Sequence, residues 1–501
     1  MVGERGRGII LGYVHVVSQT LVAFLYTPLL LRGIGQSEYG LYQLVGSISA
    51  YINIMESMLT SSALRFYCKR KAEGDEVGME NILGLSRLLY RGAALLVAVI
   101  GVATFFGFKV LYASSLSTAE LEEGGWLLAV LVANIVLNML NYTYSVVISA
   151  YERFTFGKAM DILTVLLQPM VVLAVITAVP YAIVIVVAQF VVNALCWVMK
   201  RIYVFRSIGA KAKIHKFSWA DIKPLLIFSL TVSVAMIADM IFAKTDQLII
   251  GLLIGSAGVA VYSVGYQVYS CYSSLGIVMS SCFMPKLSVI ARNENRNALF
   301  SIEWARTGRL TFFLLAAVIV GFSIFGQEFI SLWVGNGYEE AYWVALLMMA
   351  AYFIDIIQRL ALTILQVIDL FSFRARVYVA SALANIPLTV VLSSSFGIIG
   401  AAASSALVLF VSSGLIMNWY YSAKVGFDVP LFWKEIVLAA KGLPLPIVTG
   451  ILLQIVLPSG VWLVFLVKVL LFAIIYAISC APFLNQSERD LITHLIKQRK
   501  A

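Results

Sequence analysis

Three ionisable residues stand within eight positions of a long apolar run: Asp239, Lys244 and Asp246 in ADMIFAKTDQLIIG, residues 238–251. A formal charge near the centre of a bilayer costs at least about 2.5–3.5 kcal/mol. Such residues persist where they line water, pair, or bind a charged substrate. Asp239 and Asp246 are seven apart and share a helix face. Lys244 stands at neither i+3 nor i+4 from either acid, so the helix offers it no local carboxylate. Two readings follow: a cavity wall in which Lys244 binds phosphate or balances the acids, or a span that ends near residue 243 and continues as a wet outer turn.

Other residues invite similar chemistry. Arg32 and Arg65 end the first two apolar runs, and a guanidinium forks onto phosphate oxygens. Snorkelling accounts equally for Arg32, and plain topological anchoring for Arg65. His15 and Gln19 are four apart and form a polar stripe, fit either for proton coupling and cavity lining or for a hydrogen-bonded helix contact. Asp355 and Arg359 are also four apart, which allows a self-satisfied pair or one that breaks and re-forms between moving parts.

The elements that must hold these residues are membrane helices. The chain has 501 residues, 61% hydrophobic and 12% charged, with a mean hydropathy of +0.93. Soluble domains carry roughly 25% charged residues, so an all-α polytopic membrane protein is expected. A span takes about 20 apolar residues. The runs predict fourteen: 8–31, 39–64, 91–112, 125–149, 160–178, 181–200, 224–254, 258–284, 309–330, 341–366, 377–395, 398–420, 437–457 and 461–482. The first reads as a span because it exceeds the roughly 7–15 apolar residues of a signal peptide and lacks an A-x-A site. Prolines 28, 169, 285 and 387 lie in or at the ends of spans.

The net charge of +10 reads as topology rather than as nucleic-acid binding. The odd-to-even loops hold Arg32 alone among bases, with Glu38, Glu120, Glu122, Glu123, Glu328, Glu339 and Glu340. Apart from Lys109, Lys244, Arg359 and Lys468 within spans, the remaining bases lie on the other side. Both termini are therefore expected in the cytoplasm, in the plasma (inner) membrane.

A duplication shows at a shift of about 220 residues. Gly35 falls on Gly255, Tyr42 on Tyr262 and Ser61 on Ser281; at 217, YERFTF (151–156) falls on IDLFSF (368–373). Six spans separate the copies, so the halves share one orientation, the parallel-repeat plan of many transporters. The division expected is 1–205 (spans 1–6), 206–423 (spans 7–12) and 424–501 (spans 13–14 and tail), with a pseudo-two-fold along the membrane normal.

No G-x-x-x-x-G-K-[ST] or H-E-x-x-H occurs, and His15, His215 and His494 are scattered. Cys68, Cys196, Cys271, Cys282 and Cys480 form no CxxC pair. No cofactor or metal is expected, and any driving force would come from an ion gradient, the membrane potential or consumption of product. Short outer loops disfavour a membrane-embedded glycan polymerase or another enzyme.

GIGQSEYGLYQL (33–44), SALRFYCKR (62–70), KTDQLIIG (244–251) and LWVGNGYEEAY (332–342) resemble segments of the polysaccharide biosynthesis family, oligosaccharide flippases of the multidrug/oligosaccharidyl-lipid/polysaccharide exporter superfamily. The resemblance spans about residues 8–420. It implies two six-helix lobes around a cavity that opens alternately to each side. The implied function is flipping of a polyprenyl-pyrophosphate-linked oligosaccharide to the outer leaflet, for capsule, exopolysaccharide or lipopolysaccharide assembly. Partners would be the lipid-linked oligosaccharide, membrane lipid and glycan polymerase or other assembly proteins, with no nucleic acid. Fourteen spans are also similar to lipid II flippases, but residues 8–31 lack the arginines associated with them. A multidrug or cation antiporter of the same superfamily is the other alternative.

Overall fold

Apolar backbone in a bilayer has no water to bond, so each segment satisfies its own N–H and C=O groups as a helix. In the computed structural model, which describes residues 4–215, 219–281, 287, 289–291, 293–368, 370–485 and 488, every regular element is helical. Cys282, Pro285 and His494 lie outside the described residues.

Helix α1 (Glu4–Ala72) carries the first two predicted spans and breaks at Gly35, φ 82° and ψ 176°, a conformation that favours a residue without Cβ. Helix α2 (Glu76–Leu111) starts where Asp75 caps the Gly78 amide, and α3 (Thr118–Ala150) starts at a Ser117/Glu120 capping box. Helices α4 (Phe154–Ile176), α5 (Ile183–Tyr203), α6 (Trp219–Leu253) and α7 (Ser256–Ser281) follow. Next come α8 (Arg296–Val334), then α9 (Glu339–Ile357) and α10 (Arg359–Val367), which make one span interrupted at Gln358. Helix α11 (Phe371–Leu409) breaks at Gly397 and runs on through π-helical turns to Val425. Helices α12 (Val429–Ala440) and α13 (Pro444–Val456) meet at 42°, and α14 is Trp462–Cys480. Each predicted span has its helical counterpart. Among the described residues, eight helices are long and apolar enough to cross a membrane, or nine with the bent pair. The chain is an all-α integral membrane protein.

The duplication has a structural trace. Gly35 and Gly255 both hold positive φ, 82° and 97°. Helix α3 ends at Ala150 and α4 begins at Phe154; α10 ends at Val367 and α11 begins at Phe371, each 217 residues on.

Two compact units form, Met1–Ala260 and Val261–Ala501. This division reports packing, whereas the expected division after residue 205 follows the repeat in the sequence. In unit 1, α6 packs along α1. At its base-rich end Lys71 Nζ donates to Ala150 O at 2.6 Å, and His215 meets Glu80 at 2.7 Å. At the acid-rich end Ser37 and Ser256 donate to Glu120, and Glu38 accepts the Ala182 amide at 2.9 Å.

In unit 2 the buried charges are clamps. Buried Arg309 reaches Glu435 (2.7 Å), Glu488 (3.0 Å) and Phe483 O (2.7 Å), which ties α8 to α12 and to the segment after α14. Lys468, an in-span base without a partner in the sequence, is fully buried. It donates to Glu328 at 2.8 Å, Gln454 at 3.1 Å and Ser459 at 3.2 Å. Paired, it fastens α14 to α8.

Candidate functional site: a polar groove in unit 1

Helix α3 reads LNMLNYTYSVV over 137–147, and Asn138, Asn141, Tyr142 and Ser145 fall at i, i+3, i+4 and i+7, one face of a helix. Opposite them, α1 presents Asn53 and Glu56, and α4 presents Phe154, Gly157, Lys158 and Asp161. Together with Arg153 and with Lys200 from α5, these residues enclose two cavities. One of about 390 Å³ is lined by Glu56, Asn138, Asn141, Tyr142, Ser145, Arg153, Lys158, Asp161 and Lys200 among others. The second, of about 400 Å³, is lined by Asn53, Glu56, Asn138, Tyr142, Met236, Asp239 and Met240 among others. Shared Glu56, Asn138 and Tyr142 make them one polar groove. Arg153, Lys158, Asp161 and Lys200 line only the first cavity, at one end of the groove, and Asn53 and Asp239 line only the second.

Local structure explains the opening. The α3–α4 turn needs Glu152 at φ 55°, in the left-handed region. Lys71 holds that turn through Ala150 O, with its ammonium 4.0 Å from the Tyr151 ring centroid, so Arg153 stands at the mouth. Gly157 leaves space: an added Cβ would touch only Ile148, at 3.6 Å. Inside, Tyr142 donates to the Glu56 carboxylate; at the mouth, Lys158 pairs with Asp161 at 3.0 Å. Asn141 Oδ1 is buried with no partner. A buried orphan acceptor lining a cavity calls for a hydroxyl or water. The groove thus offers phosphate-binding cations at its mouth and hydroxyl-binding amides and carboxylates within.

Of the residues singled out from sequence, Asp239 lines this groove. Lys244 and Asp246 lie one to two turns beyond. Helix α6 continues through them to Leu253, with Thr245, Asp246 and Gln247 buried, which removes the reading of a wet outer turn after residue 243. Burial comes from α1: Ser47 donates to Gln247 Oε1, Tyr51 meets Thr245 at 2.6 Å, and Lys244 Nζ donates to Gln247 Oε1 at 3.2 Å. The helix reaches its lysine locally, through the Gln247 amide three residues on.

Arg32 and Gln19 are exposed and His15 is half-buried on the first half of α1; none of them lines either cavity. Arg65 is exposed beside Leu64, which does line the first. In unit 2, Asp355 is buried and its principal partners are Arg374 at 3.0 Å and Ser413 at 2.7 Å; Arg359 stands at 3.8 Å. Sequence reading missed Arg374, which passed as one more topological base. It also missed Asn53, Glu56, Asn138 and Asn141. Asn138 and Asn141 share an i, i+3, i+4, i+7 face with Tyr142 and Ser145, a signal hidden because amides carry no charge; Glu56, a formal charge inside the second predicted span, was the plainer signal.

Known proteins resemble this chain along most of its length. A Shigella flexneri protein named "Putative O-antigen transporter" is 20% identical over 421 residues, 80% of this chain and 94% of its own. The Haloferax volcanii "Probable low-salt glycan biosynthesis flippase Agl15" is 23% identical over 42% of this chain and 44% of its own. Among solved structures, lipid II flippase MurJ in an inward closed conformation matches with a TM-score of 0.74 at 14% identity, over 97% of this chain and all of that one. An inward-facing multidrug resistance MATE family transporter matches at 0.65, with 12% identity over 83% and 96%. The two structural matches establish a shared fold. The family described as polysaccharide biosynthesis protein matches residues 6–291, more than half the chain, and the chain belongs to that family.

Proposed function

We propose that this protein flips a polyprenyl-pyrophosphate-linked oligosaccharide from the cytoplasmic to the outer leaflet of the plasma (inner) membrane, by alternating exposure, for cell-surface polysaccharide assembly. The observation that carries the reading is the polar groove of unit 1, in a member of a polysaccharide biosynthesis family. A pyrophosphate needs cations, and Arg153, Lys158 and Lys200 stand together at one end. A glycan needs hydroxyl partners at a depth where hydrocarbon offers none, and Glu56, Asn53, Asn138 and Asn141 supply them. The positive-inside rule puts that basic mouth in the cytoplasm with both termini, where a lipid-linked sugar loads. Arg32 and Arg65 are further phosphate contacts along the path, with Asp239 balancing charge; Lys244 and Asp246, expected in the same roles, lie one to two turns beyond on α6, where Lys244 bonds Gln247. His15, Gln19, Asp355 and Arg359 are candidates for coupling. The duplicated lobes are 1–205 and 206–423, and a polymerase or other assembly protein takes the product.

The test is flipping in proteoliposomes of a defined polyprenyl-pyrophosphate oligosaccharide, with and without imposed ion gradients. Protein-dependent transfer that falls in the Glu56→Leu and Lys200→Gln variants is expected. No transfer by well-folded protein under any gradient, together with export of a cationic drug, would replace this reading with the antiporter.

A further inference from the structure

We propose a second site on unit 1 that binds the headgroup of an anionic glycerophospholipid, on the face of α3 opposite the groove. There Leu140, Thr143, Tyr144 and Val147 repeat at helical spacing, offset from the groove's Asn138, Asn141, Tyr142 and Ser145. Two cavities open on that face. One, of about 220 Å³, is lined by Arg87, Tyr90, Arg91, Leu140, Thr143, Tyr144, Trp197 and Arg201. The other, of about 200 Å³, shares Arg87, Thr143 and Tyr144 and adds Lys211 and Lys213. Five bases line the pair and no acid does. Glu80, which stabilises Lys211 and Lys213 from nearby, is itself engaged by His215 at 2.7 Å.

Topology alone accounts for bases at this end. It does not account for the donors left open between them. Thr143 is 95% buried, only 5% exposed, and its Oγ1 has no partner; Trp197 Nε1 is buried and has none either. Both groups line the same cavity as three arginines. Arg201 is held over the Trp197 ring at 5.7 Å and the Phe205 ring at 5.9 Å, which fixes the plane of its fork for a tetrahedral anion.

The ligand is a lipid rather than a soluble anion because of what surrounds the cavity. Leu140 and Phe205, which line the two cavities, are exposed, an apolar surface in a chain that spans a bilayer. Tyr90, Tyr144 and Trp197 stand where spans end, the height at which aromatic rings meet headgroups. A phosphodiester in the basic cavity would leave its acyl chains along those side chains. Basic pockets between membrane helices bind anionic headgroups in this way.

The test measures binding of short-chain phosphatidylglycerol to the full-length protein in detergent. Phosphatidylcholine of equal chain length and inorganic phosphate are the comparison ligands. Phosphatidylglycerol is expected to bind at least about tenfold more tightly than phosphatidylcholine, the worth of one charge-assisted contact. Arg87→Gln and Arg201→Gln should each weaken it by about tenfold, and Thr143→Val by about threefold, on the same scale. Exposed Lys424→Gln in unit 2 should leave it unchanged. Unliganded melting temperatures establish that the variants fold; should an arginine variant not fold, Arg201→Lys and Thr143→Val carry the test, with Arg201→Lys expected between wild type and Arg201→Gln. Equal binding of both lipids, arginine variants that bind like wild type, or full displacement by millimolar phosphate would each overturn the proposal.

Discussion

Asn138, Tyr142 and Gly157 of unit 1 stand 217 positions before Asp355, Arg359 and Arg374 of unit 2, across the same repeated turn. In unit 1 the three are neutral and line an open groove. In unit 2 they are an acid and two bases, and Arg374 and Arg359 close on Asp355 at 3.0 Å and 3.8 Å. The mouth differs in the same sense: Lys158 and Lys200 have Ala375 and Met417 as counterparts. One architecture thus carries its polarity in two ways. Unit 2 spends charges on each other, and the pair, with the Lys468–Glu328 and Arg309–Glu488 clamps, fixes helices. Unit 1 pairs Lys158 with Asp161 but also lines its cavities with amides, Glu56, Asp239, Arg153 and Lys200. A buried charge in a membrane helix marks function only when its partner is not already part of the chain.

The sharpest way to break this contrast is to fill unit 1 as unit 2 is filled. Gly157→Arg places a guanidinium where an added Cβ meets only Ile148, so the backbone accepts it. Transport is expected to fall by about 100-fold, because the side chain occupies the volume the substrate needs and sets a like charge beside its cations. Asn138→Asp with Gly157→Arg rebuilds the unit 2 pair. Flipping should stay lost while stability recovers by about 1–3 kcal/mol relative to Gly157→Arg alone. Thermal melts beside proteoliposome flux read both. Normal flux from folded Gly157→Arg protein would end the assignment of the groove as the path.

The converse experiment empties unit 2. Arg374→Met leaves buried Asp355 without its main cation, expected to cost about 3–5 kcal/mol. Adding Asp355→Leu removes the stranded charge and should restore most of the melting temperature. If the pair is a clamp, the double variant also transports. A double variant that melts normally and transports nothing would make Asp355 and its arginines part of the coupling machinery.

At the mouth, Lys200→Gln and Lys158→Gln remove single charges. Each is expected to raise the half-saturating substrate concentration by about 3–10-fold and to leave the maximal rate within about twofold, because a contact made equally in ground and transition states changes binding alone. Wild-type transport should weaken with salt more steeply than either variant. Equal salt dependence in all three would place the pyrophosphate elsewhere.

How far the sequence could be read follows from what each signal measures. Hydropathy reports length and burial in lipid, so fourteen spans, the α4–α5 split and the paired glycines at 35 and 255 were legible. Charge asymmetry reports side, and it sets the expectation for which loops face the cytoplasm. Neither reports partners. Arg374 and Arg309 looked like topological bases because their acids are 19 or more residues away in sequence. Lys468 looked unpaired because Glu328 lies 140 residues off. The groove was the least visible feature: Asn53, Asn138 and Asn141 carry no charge, and only the recurrence of Asn138 and Asn141 on one helical face separates them from ordinary helix contacts. Asp239 drew notice by its charge and does line the groove; Asp246, chosen on the same grounds, is buried a short way beyond it.

That last pair sets the finest test of the contrast. Lys244 and Asp246 belong to unit 1 too, but Lys244 bonds Gln247, which Ser47 also reaches, and neither residue lines either of the two groove cavities. Asp239, two turns earlier, faces the cavity. If facing the cavity is what matters, Asp239→Asn should reduce flux by about 3–10-fold at unchanged stability, a single hydrogen-bond partner's worth. Lys244→Ala should act chiefly on stability, by about 0.5–1.5 kcal/mol, through the loss of its hydrogen bond to Gln247, whose Oε1 keeps Ser47 as a donor. Its flux per folded molecule should stay within about twofold of wild type by the same reasoning. The opposite pattern, with Lys244→Ala folded but inactive and Asp239→Asn silent, would move the phosphate site along α6 to the KTDQ turn and make the neighbouring groove a structural void.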